Sequence, residues 1–240
     1  MNIMSQKYGP SDFSVGLTQE MLITLGKQGF SPEMAKQIVN VKSGWAAKIV
    51  ELFFNQKQLE DQIIGWLNFY RTFSGISVDL SKFEIPEKKK PGFDRLIVVA
   101  EGLTPNQLYD KCAEKFNCHR YRNDLDKAIV HNDRDSSKGS YAIWVRDRVE
   151  ADEELNDVSA DWLKEREIPG ITLLERLLYE LKYFSETGKH LDIENRTLCS
   201  GSRDLDGHVP YAHWWDVELR VVWYSSYDQR DNVRTRAVIS

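Results

Sequence analysis

The sequence predicts an α+β protein, with a small helical module ahead of a mixed domain. Three observations carry that expectation. Residues 18–54 hold three successive apolar stripes at helical spacing, parted by stop signals. Residues 172–186 hold the clearest amphipathic helix in the chain, with a start signal at Thr172 and a stop at Gly188. Short β-rich or alternating runs, among them Arg95–Gly102 and Glu218–Ser225, lie before and after that helix and read as strands.

The first helix runs from Thr18 to about Lys27, with Met21, Leu22 and Leu25 on one stripe and Gly29-Phe30 as its stop. Ser31 N-caps a second helix with Pro32 at its first position, and Met34, Ala35, Ile38 and Val39 form its apolar set. A third starts at Ser43-Gly44 and places Ala46, Ile49, Val50 and Phe53 together. A fourth is expected from Leu59 to Thr72, carrying Ile63, Trp66, Leu67 and Tyr70. The stretch "LGKQGFSPEMAKQIVNVKSGWAAKIVELF" is similar to compact three-helix modules of the ubiquitin-associated or helix-turn-helix kind. Such modules bind protein or nucleic acid, but the basic face here is thin (Lys36, Lys42, Lys48). Gly75–Gly92, with Pro86, Pro91 and the lysine run Lys88–Lys90, reads as a connection holding a short strand at Ile76–Leu80. The expected division is therefore a helical module over 1–80 and an α+β domain over 81–240.

In the second domain, Thr104-Pro105 opens a helix ending near Phe116, with Leu108, Tyr109, Cys112 and Phe116 inward. The runs "DKAIVHN" and "GSYAIWVRD" flank the polar loop "DRDSSKG" and read as a hairpin. "DRVEADEEL" reads as a solvated acidic segment, and Ser159 caps a short helix through Trp162 and Leu163 that Pro169-Gly170 breaks. Thr172 and Glu175 make a capping box for a helix whose stripe is Leu174, Leu177, Leu178, Leu181 and Phe184, ended by Gly188. It is expected to pack on the sheet.

Charge and cysteine content narrow the function. A net charge of −5 without a clustered basic face argues against nucleic acid. Cys112, Cys118 and Cys199 form no CxxC pair, so neither a zinc site nor a disulfide scaffold is expected. No apolar run is long enough to span a bilayer, and residues 1–17 lack the apolar core of a signal peptide, so a cytoplasmic start is the expectation.

The tail from Arg196 invites several chemical readings. "SGSR" is a small-residue loop without the lysine and spacing of a phosphate loop, so a tight turn is preferred. "DLDG" opens like a calcium loop, but His208, Val209 and Pro210 follow where oxygen ligands are needed, so an Asp-Gly turn is preferred. Ser200 or Ser202 with His208 or His213 lacks a nucleophile elbow. His119, His131, His190, His208 and His213 are scattered without metal-ligand spacing, and a hydrolase built on His119, His131 or the tail is the alternative reading. Alternation is the stronger signal. In "ELRVVWYS", Leu219, Val221 and Trp223 oppose Arg220, Val222 and Tyr224; in "PYAHWW", Tyr211, His213 and Trp215 oppose Ala212 and Trp214. One face reads as core. The other, with the Tyr-Ser-Ser-Tyr-Asp run behind it, has the vocabulary of a binding surface.

The order "CSGSR…DG…VP…W…L.V.W…R.R" over Cys199–Arg236 resembles the C-terminal variable region of proteins diversified by diversity-generating retroelements. The resemblance covers mainly Leu173–Ser240 and implies a C-type-lectin-like α+β domain. It further implies adenine-directed variation at codons of the Asn type, which reach Tyr, His, Asp, Ser, Arg, Leu and Val but not Trp, Glu, Gln, Lys or Met. The compatible outward positions are Asp204, Leu205, His208, Tyr211, His213, Arg220, Val222, Tyr224, Ser225, Ser226, Tyr227 and Asp228. Trp214, Glu218, Trp223 and Gln229 are then fixed framework, and Trp215 fits neither set. Two features of relatives are missing, the acidic sugar-binding loop and the "GFR" ending, so neither sugar nor calcium follows. The expectation is a non-enzymatic protein without cofactor or metal that recognises a macromolecule, a protein, through these residues. The N-terminal helices would serve as an adaptor, with surface display through a partner open.

Overall fold

The computed structural model describes residues 12–72, 84–88 and 90–240. It is an α+β fold, a helical stretch followed by mixed sheets. The expected strand at Ile76–Leu80 and the expected boundary beside it lie outside the described residues.

The chain divides into two compact units, Met1–Glu60 and Asp61–Ser240. In the first, Ser14 caps α1 (Val15–Lys27), which begins three residues ahead of the expected start at Thr18, and Ser31 caps α2 (Pro32–Val39) as predicted. Neither helix buries a side chain. After a turn at Val41–Ser43, and Gly44 at φ 70°, α3 runs unbroken over Trp45–Thr72. The third and fourth helices of the sequence reading are thus one. Asn55-Gln56-Lys57-Gln58, which separates their apolar sets, contains no glycine or proline to stop it.

The last turns of α3 belong to the second unit. Gln62, Trp66 and Tyr70 stand four residues apart on one face. Gln62 accepts the Leu96 amide N–H at 2.7 Å, the Trp66 indole donates to the Leu96 carbonyl at 2.8 Å, and the Tyr70 hydroxyl donates to the Val98 carbonyl at 2.6 Å. Three side chains thereby satisfy the open edge of β1 (Arg95–Val99), where a further strand would otherwise pair. The division into units falls at Glu60, ahead of these anchors.

β1 pairs antiparallel with β4 (Tyr141–Val145). Between them lie α4 (Pro105–Ala113), capped by a Thr104–Gln107 box, then β2 (Cys118–Arg120), α5 (Leu125–Ala128) and β3 (His131–Asn132). The expected hairpin around residues 133–139 does not form. Asp124 accepts the Lys127 amide and starts the α5 turn, and β3 pairs instead with β6 (Ser202–Arg203). Nor is the 147–155 segment wholly solvated. Asp152 is buried, ion-paired with Arg146, and accepts the Ala237 N–H at 2.9 Å.

α6 (Ala160–Glu165) is capped by Ser159, and α7 (Leu173–Thr187) by the predicted Thr172–Glu175 box. The second sheet has the order β2-β8-β7-β5-β9, with β5 at Arg196–Leu198, β7 at Val209–Trp215, β8 at Glu218–Tyr224 and β9 at Val233–Thr235. α7 packs against β1, β7 and α4. Burial therefore extends past the predicted stripe to every residue from Leu173 to Lys182.

The polar face of α7 survives burial because it is paired. Arg176 reaches Glu180 at 2.7 Å and Asp192 at 2.8 Å, and Arg236 reaches Asp192 at 2.7 Å. Thr197 donates to Asp192 at 2.5 Å, and His190 Nδ1 meets Glu180 at 2.9 Å. Burial alone would raise the Asp192 pKa; Arg236 and Arg176 outweigh it and hold the carboxyl below its ordinary value. Removing Arg176 would leave Glu180 buried with only His190 and the Leu191 amide, and Asp192 with Arg236 as its cation. Arg176→Ala is expected to cost about 3–5 kcal/mol in urea unfolding; a loss under about 0.5 kcal/mol would show that the cluster carries no such constraint.

Candidate functional site

The site is built on the β7–β8 hairpin. Its antiparallel register sets Tyr211 opposite Val222, His213 opposite Arg220, and Val209 opposite Tyr224. Directly opposed residues share a face. The predicted outward set (Tyr211, His213, Arg220, Val222, Tyr224) therefore does lie together. Parallel pairing with β2 adds His119 beside Arg220. The opposite face carries Ala212, Trp214, Leu219, Val221 and Trp223, as the alternation requires. Trp214 stacks on His190 at 3.4 Å between ring centres, and Phe116 meets it edge-on.

Sharing a face does not make these residues equally accessible. Tyr211 and His213 are buried, at 7% and 5% exposure, which corrects their expected display. Tyr211 packs with Ala160 of α6, Leu198, Val209 and Val233, flanked by Val222 and Tyr224. Its ring stacks on Tyr224 at 4.1 Å, and Arg196 donates to the Tyr224 hydroxyl at 2.6 Å. The loop after β8 is pinned over this end of the sheet. The Asp161 amide donates to the Ser226 carbonyl at 3.0 Å, and the Ser226 hydroxyl to the Asp161 carboxylate at 2.8 Å. His213 is pushed down to about 4, first by burial, then by Arg196 and Arg220. It is neutral at neutral pH and serves as a packed ring.

What remains open is a rim. Arg220, Val222, Tyr224, Ser225, Ser226 and Asp228 are half-buried, while Leu205 and Tyr227 are 85% and 73% exposed. Trp215, which the alternation left unassigned, pairs with Glu218 at the hairpin tip and is half exposed. Asp216 takes the positive φ of 56° that the two-residue turn needs. Sequence reasoning left Trp215 out of the outward set because the codon rule set aside a side chain that the turn projects.

The preferred turns are present. Asp204 is buried; its Oδ1 accepts the amides of Asp206 at 3.0 Å and His208 at 2.8 Å, with Gly207 at φ 83°. Asp204, Asp206 and His208 offer ligand atoms within 4.8 Å of one another, a grouping that could hold a metal ion and that spacing alone did not suggest. Asp204 Oδ2 is meanwhile paired with Arg122 at 2.7 Å. So Asp204 acts as the lock of its turn, and Leu205 at the turn's crest is the displayed residue.

The "SGSR" turn closes against the residues before α7. Gly201 donates to the Ile171 carbonyl at 3.1 Å, and a Cβ on Gly201 would lie 2.7 Å from the Gly170 carbonyl oxygen. A cavity of about 300 Å³ beside this turn brings together His131, Asp133, Ser200 and Arg203, with Ala160 and Leu163 from α6. It does not assemble a catalytic serine. The Ser200 hydroxyl bonds Thr235 Oγ1 at 3.0 Å, and Ser202 Oγ accepts the Leu173 amide at 3.0 Å. Among the described residues no serine hydroxyl bonds a histidine, and burial pushes the Cys118 thiol up to about 12, against a Cys118–His119 nucleophile.

Comparison with protein-family models, with curated proteins and with solved structures finds no match to this chain. No helix among the described residues is long and apolar enough to cross a membrane.

Two expectations follow from this geometry. Tyr211→Ala should cost about 3 kcal/mol or more in urea unfolding, as a buried aromatic does, whereas Trp215→Ala, Arg220→Ala and Tyr227→Ala should each stay within about 0.5 kcal/mol; equal losses would contradict the division into core and rim. Gly201→Ala should cost about 1–3 kcal/mol, because backbone must move to admit the methyl group; an unchanged denaturation midpoint would show that the turn has slack.

Proposed function

We propose that this chain is a non-catalytic recognition protein whose C-terminal hairpin and loops contact another macromolecule, most directly a protein. The observation that carries the reading is the division of the β7–β8 hairpin into a packed Trp-rich face and an opposite face that ends in an accessible rim. Trp215, Arg220, Tyr224 and Tyr227 are residue types that dominate binding energy at protein interfaces. Ser225, Ser226 and Asp228 supply adaptable hydrogen bonds among them.

The same division supports diversification of the tail by a retroelement and, with it, the C-type-lectin-like reading. Leu205, His208, Arg220, Ser225, Tyr227 and Asp228 lie outside the packed cluster, whereas Val222 and Tyr224 pack against it and Ser226 is tied to Asp161. Trp214 and Trp223 lie on the packed face, where variation would be costly. Tyr211 and His213 are then less free than their codons allow, and Asp204 is tied to Arg122.

Sequencing the tail's coding region and its neighbouring DNA tests this. The expected result is a near-copy of the region beside a reverse transcriptase gene, differing from it at template adenines. The differences should concentrate in codons for the rim and spare Trp214 and Trp223. A tail with no such copy, or variation spread evenly over both faces, would overturn the diversification.

A further inference from the structure

The cavity beside α6 has a chemistry that the recognition surface does not use. Ala160 and Leu163 of α6, with Ile168 and Pro169 of the following turn, give it an apolar floor. Arg203 enters from β6 and is held from behind. Its Nη1 donates to the Ser200 carbonyl at 2.5 Å and to the Ser202 carbonyl at 2.9 Å. No carboxylate of the described residues lies within ion-pairing distance of it. Burial pushes the Arg203 pKa below the usual guanidinium value, and the fields of Asp133 and Asp161 do not make up the difference. The group is therefore a fixed, partly dehydrated cation whose Nε and Nη2 donors have no protein partner. Lys164 adds a second cation at the lip.

We propose that this cavity binds a small monoanionic carboxylate with a short apolar body, its carboxylate on the Arg203 guanidinium and its body on the Leu163–Ile168–Pro169 floor. A planar guanidinium matches a carboxylate through two parallel N–H donors. The volume, about 300 Å³, is at the small end of ligand pockets and suits a body of a few carbons. Charge at the rim selects among anions. Asp133 and Glu167 also line the cavity, and they oppose a dianion such as phosphate more than a monoanion. Asp133 is partly engaged, lying 3.5 Å from His131. Unlike the rim of the hairpin, the cavity discriminates by one charged contact and an apolar floor, so the proposal stands whatever the hairpin recognises.

The test is a titration of the full chain followed by amide NMR, using isovalerate, its neutral isostere isovaleramide, and inorganic phosphate. Isovalerate should give saturable shifts at Lys164, Ile168 and Arg203, and isovaleramide should bind at least tenfold more weakly. Arg203→Gln should abolish the response and Arg203→Lys should keep part of it. Because Arg203 also ties two carbonyls, Lys164→Glu at an exposed position serves as the variant that leaves the fold alone; it should weaken isovalerate severalfold. Absence of saturable shifts with isovalerate would overturn the proposal. So would an equal response to isovaleramide or a stronger one to phosphate, shifts located elsewhere, or a Lys164→Glu variant that binds as well as the parent chain.

Discussion

Arg176 and Arg236, with Glu180 and Asp192 between them, form the interaction on which the second unit is organised. A helix that packs against β1, β7 and α4 has no side left for solvent, so its polar residues must find partners inside. Two cations and two carboxylates balance, and Thr197 and His190 take the remaining bonds. Such a cluster adds little net stability over an apolar core, but its geometry admits few alternatives. Arg236 also donates to the carbonyls of Arg148 and Val149 at 2.9 and 2.7 Å, which brings the segment after β9 against the one after β4. One set of charges thus positions α7, β5 and the C-terminal segment together.

Placing α7 in this way determines what the β7–β8 hairpin can do. The face turned to α7 must be filled, and Trp214 fills it against Phe116 and His190. The reverse face is then available for other contacts. Part of it is covered by α6 and the loop after β8, which is why Tyr211 is core although it alternates with core residues. The exposed remainder is a rim built from turns and strand ends, where a side chain can change without disturbing the sheet.

α6 joins the two sites. Ala160 packs on Tyr211 beneath the rim and also lines the Arg203 cavity, while Asp161 holds the loop that carries Tyr227. Next to the cavity residue Ser200, a Cβ on Gly170 would lie 1.7 Å from the Ser200 hydroxyl and one on Gly201 2.7 Å from the Gly170 carbonyl oxygen. The cavity is lined by α6, by the turn that follows it, and by Ser200 and Arg203.

Local chemistry was legible in the residues themselves. Caps at Ser31, Thr104, Ser159 and Thr172 each act on their own neighbours, so those helix starts could be read directly. The period-two alternation of β7 and β8 likewise gave the correct partition of faces, since side-chain direction along a strand is a local property. Pairing was not local. β3 chose β6 over β4, and β1 used three side chains of α3 in place of a strand, because partners distant in the chain satisfied those backbones. Burial was not local either. Alternation assigns Tyr211 and His213 to a side of the sheet, but only tertiary packing makes them core, Tyr211 with Ala160 of α6 and His213 between the Tyr211 and Trp215 rings. The polar residues of α7 find partners inside for the same reason: Asp192 lies 16 and Arg236 60 positions beyond Arg176, and only the fold brings Asp192 to both cations.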